Sequence, residues 1–215
     1  MNTSHSISII KEACVEGFIQ AYGAEKAGAG RIELCENLAV GGTTPSIGTI
    51  KMCKKYMRIP IVAMIRPRGG DFVYSPREIE NMSYDIEAFR DAGVDGIAIG
   101  ILNSKNEVDL NTLSELLKKA GDMQVTFHKA IDVTADIESE FTKLCCSGLI
   151  TRVLTSGGAE TAAEGAGTLK KLVEIAREKV AVVVAGKVTF ENINELSRII
   201  PAREFHGKKI VGDLV

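Results

Sequence analysis

The chain has 215 residues, 45% hydrophobic and 25% charged, with no Trp and a formal net charge of −2. It is long enough to bury one sizeable core and lacks the basic excess of a nucleic-acid binder. No apolar run approaches the roughly 20 residues that span a bilayer, and the opening MNTSHSIS is neither basic nor apolar enough for a signal segment, so a cytoplasmic protein with no membrane and no nucleic-acid partner is expected.

In chain order, short β-rich runs alternate with helical patterns. The predicted strands are Ser6 to Ala13, Arg31 to Cys35, Ile61 to Ile65, Gly96 to Gly100, Gln124 to His128, Thr151 to Thr155, Val180 to Ala185 and Glu204 to Gly207. Between the third and fourth, Ser75 reads as an N-cap with Pro76 in the first turn. Ile79, Met82, Ile86 and Phe89 share one face of that helix, and Gly93 closes it. Strand starts recur about every 30 residues, the period of βα units, and eight such units close most simply into a (β/α)₈ barrel of TIM type spanning residues 1–215 as one domain. A doubly wound sheet would need a glycine-rich turn after its first strand, where this chain has ACVEG. Only KKIVGDLV follows the eighth strand, so the last helix is expected to be missing or reduced.

Barrel enzymes carry their chemistry at the C-terminal ends of the strands. Those ends hold Glu12, Cys14, Glu33, Cys35, Arg66, Arg68, Asp71, His128, Asp132, Ser156 and His206. Strand alternation places Arg31, Glu33 and Cys35 on one face with Ile32 and Leu34 on the other, and the apolar face must meet the helices. The charged face therefore points inward, as do Thr126 with His128 and Glu204 with His206. Arg31 with Glu204 reads as a structural pair, and Arg66 is expected against Glu33.

In IRPRGGDF, Arg66 and Arg68 flank Pro67 and precede Gly69 and Gly70, an arrangement suited to gripping an anion. With a protonated His128 they would make the barrel mouth positive. Ser156 and Gly157 in TSGGAET, Gly186 in AGKV and Gly207 in HGKK follow later strands where barrels bind phosphate through backbone amides. The repeated Glu-x-Cys of EAC and ELC brings Cys14 and Cys35 to neighbouring strands, and two thiols suit a soft ion such as Cu(I), although buried cysteine is also ordinary packing. Cys53, Cys145 and Cys146 read as packing or poor chelators. No motif indicates an organic cofactor.

The blocks EACVEG, GAGRIELCENLAVGGTTPS, IPIVAMIRPRGGDFVYS, TFHKAIDV, VLTSGG and REFHG, taken in order, resemble the CutC copper homeostasis family from about Glu12 to Gly207. The resemblance implies a cytosolic (β/α)₈ barrel forming a homodimer, a link to copper tolerance, and Cu(I) binding. The chain departs from the family pattern at Lys187, at Lys208 and Lys209, and at Lys129 and Ile131, which adds lysines at the mouth.

Two functions are thus expected in competition. One is a copper homeostasis protein that binds Cu(I) through Cys14 and Cys35. The other is an enzyme on a small anionic phosphate or carboxylate metabolite, with Arg66 and Arg68 holding the anion, Glu12 or Glu33 as general base and His128 as general acid.

Overall fold

The computed structural model describes residues 9–177 and 179–214. Eight parallel strands form a closed barrel: β1 (Ile10–Glu16), β2 (Arg31–Cys35), β3 (Ile61–Ile65), β4 (Gly96–Ile99), β5 (Gln124–Phe127), β6 (Arg152–Thr155), β7 (Ala181–Val184) and β8 (Glu204–Gly207), each paired with the next and β8 with β1. Seven helices stand outside among the described residues: α1 (Gly17–Lys26), α2 (Ile47–Tyr56), α3 (Pro76–Asp91), α4 (Leu110–Leu117), α5 (Ile137–Ser147), α6 (Ala166–Ala176) and α7 (Ile193–Ile199). After β8 the described chain makes only isolated bridges, Thr189 with Lys209 and Ile210 with Gly212, so the eighth helix is absent there. None of the described helices is long and apolar enough to cross a membrane.

Alternation along the strands separates two apolar regions. Ala13, Val15, Ile32, Leu34, Ala63, Ile65, Ile97 and Ile99 face outward into one continuous core with the helices. Cys14, Cys35, Val62, Met64 and Ala98 form a second cluster inside the barrel. Leu154, Val183 and Ala185 form a third. The expected parity therefore holds.

Local chemistry sets the elements as the sequence reading expected in α3. Ser75 accepts from the Glu78 backbone N–H while the Glu78 carboxylate accepts from the Ser75 N–H, Pro76 fills the first turn, and Met82, Ile86 and Phe89 are buried. Gly93, at φ +74°, takes the left-handed turn beyond the helix end. The first strand differs from its predicted span. It runs from Ile10 to Glu16, because Val15 continues the apolar alternation and Glu16 turns out at the end to accept the N–H groups of Asn37 and Leu38. The predicted residues 6–8 lie outside the described residues. In consequence Glu12 and Cys14 stand within the strand rather than at its exit.

Candidate functional site

The lower interior is an ion-pair ring. The Arg31 guanidinium bonds the Glu12 carboxylate and, at 2.5 Å, that of Glu204, and Arg152 joins Glu204 at 3.2 Å and also donates to Gln124. Arg31 with Glu204 is the expected structural pair. Arg152 was not anticipated, although it shares the inward parity of Leu154 in the same strand.

Above this ring stands an acid–thiol–imidazole cluster. In register, Glu12 lies beside Arg31 and His206, and Cys14 beside Glu33. His206 reaches Glu12 through Nδ1 at 2.9 Å and Glu33 through Nε2 at 3.5 Å, while Cys35 Sγ lies 3.7 Å from Glu33 Oε2. The donor atoms of Cys14, Glu33 and Cys35 lie within 4.8 Å of one another, as do those of Glu12, Glu33 and His206. All five residues are buried.

Burial works against the charged form of Glu12, but the hydrogen bond to His206 and the Arg31 charge outweigh it and hold the carboxyl down at about 2. Burial likewise opposes a charged His206, and the Glu33 charge with hydrogen bonds to Cys14 and Glu12 raises it well above the ordinary histidine range. A hydrogen bond from Cys35 draws Cys14 well below the usual thiol range against the effect of burial; the same bond, with burial, pushes Cys35 up. Burial pushes Glu33 well up, and the Cys14 charge adds to this while His206 opposes it. Glu33 and Cys14 thus compete to be the anion beside one imidazolium. A single anion is shared between them, because a second one there would lack a counter-ion, and the Cys35 thiol donates to Glu33 Oε2 at 3.7 Å.

A cavity of about 690 Å³ opens above the cluster at the C-terminal end of the strands. Its walls include Cys14, Glu33, Arg66, His128 and His206, the apolar groups Leu38, Met64, Phe72, Leu154 and Val188, and the lysines 129, 187, 208 and 209. Gly186 and Gly207 also line it. Their lack of a side chain serves close packing: a Cβ on Gly207 would meet the Val188 carbonyl at 2.0 Å, and one on Gly186, at φ +98°, the Ala162 nitrogen at 2.8 Å.

The expected contact between Arg66 and Glu33 does not form. A 3₁₀ turn at Leu38–Val40 and the left-handed Gly41 and Gly42 fold the β2–α2 loop over the barrel end, and Arg66 donates to the carbonyls of Val40, Gly42 and Gly70 instead. Its guanidinium also lies 4.8 Å over the Phe72 ring. A Cβ on Gly41 would stand 3.0 Å from Arg66 Nη1, which fits glycine there. Arg68 faces away from the cavity. It pairs with Asp71 and Glu78 on the half-exposed side of the loop and stacks on Tyr74. The second guanidinium and Asp71 therefore organise the loop and are not part of the cavity wall.

The expected protonated His128 is also corrected. Burial, followed by the Arg66 charge, pushes its imidazole down to about 3, so it is neutral at ordinary pH. Nδ1 accepts the Ala130 N–H at 3.2 Å, which leaves the proton on Nε2. That Nε2, Arg66 Nε and Glu33 Oε1 are buried without a partner among the described residues, and all three residues line the cavity. Asp132, Ser156 and Gly157 stand apart from the wall. The Asp132 carboxylate accepts from Thr155, from the Ser156 N–H and hydroxyl, and from the Gly158 N–H, tying the loop after β5 to the loop after β6.

Residues 9–211 match the model of the CutC family. The chain is 40% identical over 197 residues to the copper homeostasis protein cutC homologs of Mus musculus and Homo sapiens, covering 92% of this chain and 72% of each relative. It is similar in structure to the putative copper homeostasis protein CutC from Streptococcus agalactiae, with TM-score 0.89 and 36% identity, covering 94% of this chain and 99% of the other. On these matches and on the barrel they share, the chain belongs to the CutC family.

Proposed function

We propose that this copper homeostasis family member takes Cu(I) as cargo between Cys14 and Cys35. The carrying observation is the donor set itself, two buried sulfurs within 4.8 Å of each other in one cluster with Met64. Soft thiolate and thioether groups select Cu(I) over harder ions. The lowered Cys14 supplies the thiolate form that binds metal. Anaerobic Cu(I) titration against a competing chelator tests the reading. The Cys14→Ser, Cys35→Ser double variant should lose the tight site while a Cys145→Ser, Cys146→Ser variant keeps it; undiminished binding in the first would sink it. The family resemblance adds a cytoplasmic homodimer, which sedimentation at several concentrations would test.

The cavity favours a second reading, an enzyme acting on a small anionic metabolite. Its support is the group of buried polar atoms without partners, among the described residues, on side chains that line one cavity, a pattern that a protein kept only for stability would not retain. The copper link would then be indirect.

A further inference from the structure

We propose that the cavity binds a small organic carboxylate, its head accepting hydrogen bonds from His128 Nε2–H and Arg66 Nε–H and its apolar body lying against Leu38, Met64, Phe72 and Leu154. This rests on the second reading and names the ligand class for that site.

The anchoring wall is closely packed. Phe72 packs against both donor residues, 4.8 Å from the Arg66 guanidinium and 5.2 Å from the His128 ring centroid, so one aromatic ring contacts both. Gly100 leaves room for the imidazole, since a Cβ there would meet His128 Cε1 at 2.3 Å. Arg66 is fixed by three carbonyls, and His128 by the Ala130 N–H. Both residues are more than nine-tenths buried, and each keeps one N–H without a partner among the described residues. Burying such a donor without an acceptor is unfavourable, and an arriving oxygen would relieve it.

Charge selects an anion. Arg66, four lysines and the His206 imidazolium line the cavity against Glu160 and the one anion shared by Cys14 and Glu33. The class of anion follows from where the positive groups are satisfied. Lys187 is paired with Glu160, Lys209 with Asp213 and Lys129 with Asp132, Lys208 donates to the Leu38 carbonyl, and the glycines after β7 and β8 pack against backbone rather than offering an open cradle. One guanidinium and one neutral imidazole then stand at the buried end. They match the single charge and two oxygens of a carboxylate, whereas a phosphate dianion would carry an uncompensated charge into an apolar chamber. The aliphatic and aromatic walls require a hydrocarbon body, so the ligand is an organic acid of a size that a 690 Å³ chamber holds.

The test uses 3-phenylpropanoate as probe, with 3-phenylpropanamide and inorganic phosphate as comparators, measured by calorimetry at low ionic strength on the metal-free protein. The carboxylate should bind, the isosteric amide at least about tenfold more weakly, and His128→Phe should weaken the carboxylate by about tenfold, the loss of one charge-assisted hydrogen bond. In protein carrying ¹⁵N-histidine, the His128 Nε2–H resonance should move on adding the carboxylate and stay fixed on adding the amide. Arg66→Lys, a second variant, should weaken the carboxylate without abolishing folding. Phosphate binding that depends on His128, with no carboxylate binding, overturns the carboxylate assignment and leaves the anion reading standing. Binding of neither anion overturns both. Carboxylate binding that is undiminished in His128→Phe overturns the assignment of the head group to this wall.

Discussion

His206 bridges two carboxylates from different strands, with Nδ1 2.9 Å from Glu12 and Nε2 3.5 Å from Glu33. Removing the imidazole would leave Glu12 with Arg31 alone and deprive the Cys14 and Glu33 side of its cation. His206→Ala should therefore destabilise the fold by about 3–5 kcal/mol in urea unfolding, the range for stripping one partner from a buried ionic group. A loss under about 1 kcal/mol would show that the cluster is hydrated or already neutral.

The same residue sets an alkaline limb to stability. A histidine raised above its unfolded value contributes fully below about 6.5 and loses that contribution as pH rises through the folded value. Wild-type stability should decline on the alkaline side of neutrality, and His206→Gln should decline less steeply. Parallel slopes for the two proteins would show that His206 is neutral in the folded state.

The acid limb belongs to Glu12 and His128, both of which are depressed. Each contributes above its unfolded value and loses the contribution as pH falls, Glu12 between 4.5 and about 2 and His128 between 6.5 and about 3. For Glu12 the shift corresponds to about 3 kcal/mol. Because the raised Glu33 acts in the opposite sense over the same range, the readout is the difference: between pH 6.5 and 4.5 wild-type stability should fall relative to that of His128→Phe. An equal change in both proteins would mean that another group titrates there.

Arg66 is expected to matter for stability through carbonyls rather than through a carboxylate. Arg66→Ala leaves the oxygens of Val40, Gly42 and Gly70 without their donor, and each buried acceptor so exposed is unfavourable by about 1–3 kcal/mol. Glu33→Gln, by contrast, should leave the β2–α2 loop unaltered. Amide hydrogen exchange localises the effect: faster exchange in residues 38–44 of Arg66→Ala alone is the expected pattern, and equal exchange in both variants would contradict it.

Gly100→Ala places a methyl where the His128 ring stands, with 2.3 Å to Cε1 and 2.7 Å to the Ala130 Cβ. The ring must tilt or the β4 exit must shift, so a loss of about 1–3 kcal/mol is expected together with a changed imidazole resonance. A variant as stable as wild type, with His128 unperturbed, would mean that the loop after β4 relaxes freely.

The barrel was legible in the sequence because period-two alternation and the recurrence of βα units are properties of nearby residues. RIELC, IVAMI and EFHG coincide with β2, β3 and β8, and the inward face of β2 followed from Ile32 and Leu34 alone. The charged interior and the Arg31–Glu204 pair followed from the same parity. The partners of Arg66 were not legible. They are main-chain oxygens, which no residue letter advertises, and two of them come from a loop turned by the left-handed Gly41 and Gly42. The protonation of His128 was missed because burial and the approach of Arg66 are tertiary facts. Asp132 was legible as a polar residue at a strand exit, but its use as an acceptor for the next loop depends on how two loops meet.

The ring of Arg31, Glu12, Glu204 and Arg152 has a kinetic consequence for the chamber above it. It fills the N-terminal end of the barrel interior with ion-paired charges, while Cys14 lines the cavity that opens at the C-terminal end of the strands, so among the described residues that cavity is its approach. Entry and exit share one doorway. A molecule lodged against Phe72 and His128 would stand in the path of anything arriving at or leaving Cys14, and the residence time of the deeper guest would then be governed by the departure of the shallower one.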